Sequence, residues 1–375
     1  MKKTTRRFTP VIILFLVGGI CILMFPNNIP LIAGHASGKS EVELSPALKE
    51  IISYGSSAPN SHNAQMWKIK VPSDQSLILA FDSAHLLPQV DPDNREALIS
   101  LGAFLENMVS IAPKYDLQAN VEIIAETNKD EEVALVSFTE TTDEAAKNGA
   151  LLKEELIKQR HTIRKPFEKR PLTTEDLSSL RSVDACGHLI YFPLASTEGT
   201  YIAHALVDSM AKQVASDEKQ KEFADYTRLS RKEANEKQDG ITPAMMGLSG
   251  IKKWFVSTFF SKKTIMSSSF RQQTVDTVKN QASNCAGFLL ICSTDQTVTS
   301  LVNTGRLLQK VWLQATANQI AVHPMSSVLE ESPWREEINT ELGIDQRIQM
   351  ILRLGYVDDY GEPISKRRTV PILPK

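Results

Sequence analysis

Residues 54–69 read YGSSAPNSHNAQMWKI. From Ser56 to Gln65 every position except His62 is small, amide-bearing or proline, and an apolar run follows at once from Met66. A generic loop accounts for that composition but not for the density of neutral donors and acceptors that Asn60, Ser61, Asn63 and Gln65 supply on a turn stiffened by Pro59.

The flanks place this loop between a helix and a strand. Upstream, Ser45-Pro46 has the form of an N-cap followed by a first-turn proline, and Leu48, Ile51 and Ile52 make a buried stripe, so a first helix ends where the loop begins. Downstream, residues 66–71 and 77–81 read as paired strands. Asp93 or Asn94 then caps a helix whose Leu98, Leu101, Leu105, Met108 and Ala112 recur at helical spacing. Strands are predicted at 120–124 and 133–138, an amphipathic helix at 150–160, a short helix capped by Thr173, and a strand at 189–192. Residues 198–238 are helical and highly charged. A buried strand is predicted at 287–292, Asp295 or Thr297 opens a long helix reaching about Ile320, and 349–356 is a last strand. At a constant offset of 203, Gly102, Leu105, Met108 and Ala112 align with Gly305, Leu308, Val311 and Ala315, so the two long helices share a glycine and an apolar register.

With 375 residues, 42% hydrophobic content and a formal charge of -2, the chain has material for one large core or two ordinary ones. The even scatter of charge offers no basic face for nucleic acid. The N-terminus differs: MKKTTRRFTP is followed at residues 11–25 by VIILFLVGGICILMF, without a charge. Two readings stand, a cleaved signal, with Gly34-His35-Ala36 before Ser37, and a short membrane anchor, since Pro26 to Pro30 continue a signal poorly. Either exports the rest of the chain. Arg6-Arg7-Phe8 lacks the spacer of a twin-arginine signal, and bulky Ile20 excludes a lipoprotein reading of Cys21. Of the four cysteines, Cys285 and Cys292 lie in the apolar run CAGFLLIC and read as buried thiols rather than a disulfide.

Several familiar motifs fail on context. AGHASGKS at 33–40 satisfies a relaxed phosphate-loop pattern but follows the apolar leader and Pro30 instead of a strand. Asp91-Pro92-Asp93-Asn94 suggests a calcium loop, yet Arg95 stands where an oxygen ligand is needed, so helix capping is the better reading. There is no G-x-S-x-G elbow and no paired histidine spacing for a catalytic zinc. KQRHTIRKPFEKRP, residues 158–171, is more informative. Alternation in an extended segment puts Arg160, Thr162 and Arg164 on one side, and two guanidiniums with a hydroxyl match a phosphate monoester. A solvated basic turn is the competing reading.

Taken together, the two segments resemble the flavin site of the nitroreductase family. The family signature R-R/H-S-x-R/K-x-F is matched by Arg160-His161-Thr162-Ile163-Arg164, with Phe167 one residue late and Pro171-Leu172-Thr173 after it. Its A-P-S-S-x-N-x-Q-P-W is matched by Ala58-Pro59-Asn60-Ser61-His62-Asn63-Ala64-Gln65-Met66-Trp67, departing at Asn60 and Met66. The helix at 305–320 and residues 351–356 resemble further family landmarks, while residues 195–283 stay unexplained. The motif order is reversed relative to the family, which resembles a subgroup of two fused halves in one pseudo-dimeric chain.

The resemblance implies an α+β fold with an antiparallel or mixed central sheet flanked by helices. It divides the chain into a leader at 1–36, a linker at 37–44, one half at 45–145 and another at 150–375 that includes a lid-like helical insertion at 217–263. It implies FMN as cofactor, held at the phosphate by Arg160, His161, Thr162 and Arg164 with Arg367 or Arg368 from the tail SKRR. Pro59, Asn60, Ser61, Asn63 and Gln65 would line the ring and ribityl chain, and Pro324, Met325 and Ser326 would bring a backbone N–H to the flavin N5. The implied activity is hydride transfer to a small nitroaromatic or quinone-type acceptor, with NAD(P)H as donor, by a monomer with an internal pseudo-two-fold. Flavin storage without turnover is the alternative. The segment 238–262, with Met245, Met246, Trp254, Phe255, Phe259 and Phe260 beside Lys252, Lys253, Lys262 and Lys263, reads as a lid, as core, or as a membrane-surface helix.

Overall fold

The first helix, α1 (Pro46–Ser56), is capped by the Ser45 hydroxyl, which accepts from Leu48 N at 3.3 Å. It leads through the loop into β1 (Trp67–Ser73) and β2 (Ser76–Phe81), α2 (Arg95–Ile111), β3 (Leu117–Ile123) and β4 (Glu132–Glu140). This computed structural model describes residues 44–374, so the leader lies outside it. Among the described residues no helix is long and apolar enough to cross a membrane.

The cap of α2 differs from expectation. Asn94 sits at φ 54° and caps nothing with its side chain; the Asp91 carboxylate instead accepts from Glu96 N at 3.1 Å and Ala97 N at 2.9 Å. Pro92 and Asp93 turn the chain so that the acid three residues before Asn94 reaches the free N–H groups of the first turn.

The chain continues through α3 (Glu144–Gln159), α4 (Thr174–Arg181), β5 (Leu189–Pro193), α5 (Thr197–Ala215), α6 (Asp217–Asp225), α7 (Arg231–Lys237), α8 (Gly250–Phe259), α9 (Lys262–Ile265) and α10 (Ser268–Ala282). Then come β6 (Gly287–Ser293), α11 (Val298–Ala317), β7 (Ala321–Pro324), α12 (Ser327–Glu330), α13 (Trp334–Glu341), β8 (Arg347–Gly355) and β9 (Ile372–Pro374). The class is α+β, with two sheets in place of one central sheet. One is five-stranded in the order β3-β4-β2-β1-β9, antiparallel except where β9 runs parallel to β1. The other is antiparallel, β5-β6-β8-β7. Through β9 the C-terminal tail joins the sheet built by the first hundred described residues.

Strand β6 is buried at every position because the second sheet has a core on each face. Leu289 and Ile291 join the cluster of α2 and α11, while Phe288, Leu290 and Cys292 join the cluster of α5 and α10. The period-two alternation of strand side chains makes both possible, and explains an uninterrupted apolar run. Cys285 and Cys292 are free buried thiols.

The centre of the molecule is the crossing of α2 and α11. A Cβ added at Gly102 would stand 2.0 Å from the Val302 carbonyl oxygen, and one at Gly305 would stand 1.9 Å from that of Ile99. The offset of 203 carries Ile99 to Val302 and Gly102 to Gly305, so the contact maps onto itself, as a two-fold contact does. Arg306 meets Glu106 at 3.1 Å and Gln309 donates to Asn107 at 2.7 Å across the same seam.

Candidate functional site

The loop after α1 enters the left-handed region three times, at His62 (φ 52°), Asn63 (φ 52°) and Gln65 (φ 58°). Such backbone persists only where neighbours fix it. Asn60 Oδ1 accepts from Gln65 N at 2.8 Å, and its amide donates to Ala58 O at 3.2 Å. Asn63 donates to the carbonyls of Gly240 at 3.0 Å and Lys366 at 3.2 Å, and accepts from Arg367. Gln65 donates to Gln238 O at 2.9 Å and accepts from Arg368 N at 2.7 Å. The polar density thus builds the loop and ties it to the turn after α7 and to the tail, a use that a wall of ligand contacts does not predict.

Against this loop lies a cavity of about 730 Å³, a size that accommodates a cofactor. Pro59, Asn60, Ser61 and Asn63 line it from the loop, Arg160, His161, Thr162 and Arg164 from the segment after α3, Pro324, Met325 and Ser326 from the end of β7, and Arg367 from the tail. Residues 241–250 cover it, with Arg164 donating to Met245 O at 2.9 Å. Two sequence candidates lie elsewhere. Gln65 is turned into the loop by the bonds just described, and Arg368 donates to the carbonyls of Ala64 at 3.0 Å and Gln65 at 2.8 Å and to His85, so it braces the outer side of the loop.

Three guanidiniums gather in the cavity, and none of them forms an ion pair with a carboxylate among the described residues. Arg160 donates to Ser57 O at 2.8 Å and lies over the Trp312 ring at 4.7 Å, and its buried Nε has no partner. Arg367 donates to Ser56 O at 2.8 Å, Ala58 O at 3.2 Å and Ser57 O at 3.4 Å. Burial, then the neighbouring Arg367, lowers Arg160 to about 9; burial lowers Arg164 and Arg367 to about 10, so all three are cations at neutral pH. Guanidiniums left without a carboxylate partner match the donor set that an anionic phosphate asks for. His161 serves differently. Its ring nitrogens face two carbonyls, Gln159 O at 2.8 Å and Tyr360 O at 3.0 Å, which leaves none for a phosphate and makes it a strap on the segment around Tyr360.

Further residues escape a reading by motif. Glu96 and Glu330 hydrogen-bond each other at the wall, with the Ser61 hydroxyl on Glu96 at 2.5 Å and Gln213 on Glu330. Burial and the Glu96 charge raise Glu330 well above the ordinary carboxyl range; burial also pushes Glu96 up, but Arg95 at 3.1 Å and the hydroxyl of Ser61 outweigh it and hold Glu96 down. The pair holds one proton beside the cavity. His62, pushed down to about 4 by burial, and His323, pushed well below its usual value, keep buried Nδ1 atoms without partners. Arg353 is fully buried, donates to Gln281 O at 2.9 Å and Lys165 O at 3.0 Å, and lies 3.7 Å from the Phe167 ring, supporting the arginine segment from beneath. At the β7 turn the N–H groups are unequal: Pro324 has none and Met325 donates to Ile351 O at 2.9 Å, while Ser326 N–H takes no acceptor among the described residues.

A model of the nitroreductase family matches residues 201–356. Residues 201–356 carry a nitroreductase-family domain. The match takes in most of residues 195–283, which the motif comparison had left unexplained, and begins after both motif segments. A Mycobacterium tuberculosis protein named "Putative NAD(P)H nitroreductase acg" is 24% identical over 318 residues, 84% of this chain and 91% of the relative. Among solved structures, the FMN-dependent nitroreductase NfnB of Mycobacterium smegmatis in complex with NADPH is 16% identical, with a TM-score of 0.36 over 56% of this chain and 89% of its own. A nitroreductase described as "putative", from Anabaena variabilis, is 10% identical, with a TM-score of 0.44 over 83% of this chain and 87% of its own. The unpaired guanidiniums and the cavity volume fit FMN, the cofactor that the resemblance implies.

Proposed function

We propose that the cavity holds FMN with its phosphate at Arg160 and Arg367, and that the protein passes electrons from NAD(P)H to nitroaromatic or quinone-type acceptors. The observation that carries this reading is the cationic wall: three guanidiniums in one cavity, none paired with a carboxylate and one with an orphaned Nε. The name of the M. tuberculosis relative supports NAD(P)H as donor. FMN, when bound, supplies the two-electron chemistry. The chain's share is to neutralise the phosphate, to offer the Ser326 N–H at the β7 turn, to exclude water with residues 241–250, and to keep a proton on the Glu96–Glu330 pair at the wall.

A second reading, flavin held without turnover, draws on the cover itself, since Arg164 to Met245 and Asn63 to Gly240 tie residues 240–245 down over the cavity. The visible spectrum of the purified protein before and after anaerobic NADPH separates the two. Bleaching by NADPH is the result expected of a reductase; bleaching by dithionite alone selects storage, and a colourless protein that takes up no added FMN defeats both.

Two further parts of the reading rest on other observations. The self-mapping contact of Gly102 and Gly305 supports two fused halves acting as a monomer, for which a single-chain mass in solution is the test. The basic and apolar residues 1–25 support export, cleaved or anchored, with the cavity outside the cytoplasm; an N-terminal sequence of the mature protein decides between the two.

A further inference from the structure

Helix α8 presents its apolar side outward. Ile251 is 83% exposed, Trp254 59%, Phe255 49% and Phe259 60%, and at helical spacing they fall within an arc of about 140°. The helix is anchored from beneath: Val256 and Phe260 pack with Phe223, Ile265, Met266 and Phe270 around a small cluster of their own. The outward rings are ordered among themselves, with Phe255 and Phe259 centroids 5.0 Å apart and Trp254 edge-on to Phe259 at 5.7 Å. Isolated exposed apolar residues need no explanation, but a contiguous aromatic patch does. Lys252, Lys253, Lys262 and Lys263 frame it, all exposed, with Lys262 paired to Asp225 at 3.2 Å, and residues 240–263 contain no acid.

We propose that α8 docks on a membrane surface, its aromatic face entering the interface of an anionic bilayer and its lysines meeting the headgroups. Charge decides for lipid: a predominantly basic frame around aromatics complements anionic headgroups, and a second copy of the same basic patch would repel it. The chain outside the described residues adds to this, since residues 1–25 are basic and then apolar, the composition of a segment that enters a bilayer. The proposal does not depend on the flavin reading.

The test uses the full chain with phosphatidylcholine vesicles, with and without phosphatidylglycerol, carrying a brominated lipid that quenches tryptophan on contact. Trp67 and Trp312 are 1% and 0% exposed and Trp334 is half-buried, so Trp254, 59% exposed, is the tryptophan best placed to report. Quenching that requires phosphatidylglycerol and disappears in Trp254→Leu is the expected result. Lys252→Glu with Lys263→Glu should weaken docking at least about 25-fold, at roughly fivefold for each cation lost, with bound flavin unchanged. Three results overturn the proposal: equal quenching in Trp254→Leu, equal quenching without phosphatidylglycerol, or no quenching of vesicle-bound chain. A dimer that Trp254→Leu dissolves would assign the face to a second copy and overturn it as well.

Discussion

Gly305→Ala tests the centre of the fold and its link to the site. The new methyl would stand 1.9 Å from Ile99 O, whereas real Cβ contacts essentially stop at 3.0 Å, so α2 and α11 must part by roughly 1 Å at their crossing. Overpacking of this kind costs about 1–3 kcal/mol or more. Alanine also favours a helix over glycine by about 1 kcal/mol, which offsets part of that cost and leaves a net loss of up to about 2 kcal/mol. Gly102→Ala should cost nearly the same, because its methyl meets Val302 O at 2.0 Å in the reciprocal position. The double variant is the sharper probe. Once one methyl has moved the helices apart the second adds little, so the two costs should fall short of additive by about 1 kcal/mol or more. Urea unfolding of the three variants gives these values. Since α2 carries Ile99 and Ser100, and α11 carries Trp312, into the cavity wall, each variant should also release flavin more readily. A stabilising Gly305→Ala, or strictly additive costs, would refute the close crossing.

The remaining predictions concern single side chains. Arg160→Ala should lower the flavin content of the purified protein, whereas Arg368→Ala should leave that content unchanged and cost about 1–3 kcal/mol of stability, because its bonds to Ala64 O and Gln65 O brace the loop from outside the cavity; flavin content and thermal melts separate the two. Glu330, whose carboxyl is raised in the folded state by burial and then by Glu96, favours folding while protonated, so stability is full at pH below the unfolded value and declines as pH rises through the raised one. Melts across pH should show that decline, and Glu330→Gln should flatten it. His62 has the opposite sign. Held neutral by burial down to about 4, it leaves stability intact above the ordinary imidazole value of 6.5 and takes it away as pH falls toward 4, a slope that His62→Gln should remove.

What the sequence made legible follows how local each signal is. The helix that Ser45 and Pro46 open, the strands around it, and the glycine register of α2 and α11 each rest on neighbours in the chain. The approach of Arg160 to the loop, 103 residues away in the chain, was carried by the family resemblance instead. Nonlocal partners were illegible. Arg368 is diverted by the carbonyls of Ala64 and Gln65, and His161 is held by the Tyr360 carbonyl, a residue 199 positions away. Glu96 read as an acid in the first turn of a helix, an ordinary place for one, and only the fold sets Glu330 against it.

Arg367 and Arg368 show how much one alternation decides. Consecutive side chains of an extended segment point to opposite sides, so the tail that runs on into β9 beside β1 sends Arg367 to the carbonyls of Ser56, Ser57 and Ala58 at the cavity and Arg368 to the far side of the loop. The loop's amides complete the arrangement by holding the tail in that register: Asn63 donates to Lys366 O and accepts from Arg367, and Gln65 accepts from Arg368 N. A slip of one residue would exchange the two arginines, putting a guanidinium evolved for carbonyls of the loop into the cavity and removing Arg367 from it. The amide density of residues 56–65 therefore acts on a ligand at one remove, by fixing which of two adjacent cations enters the site.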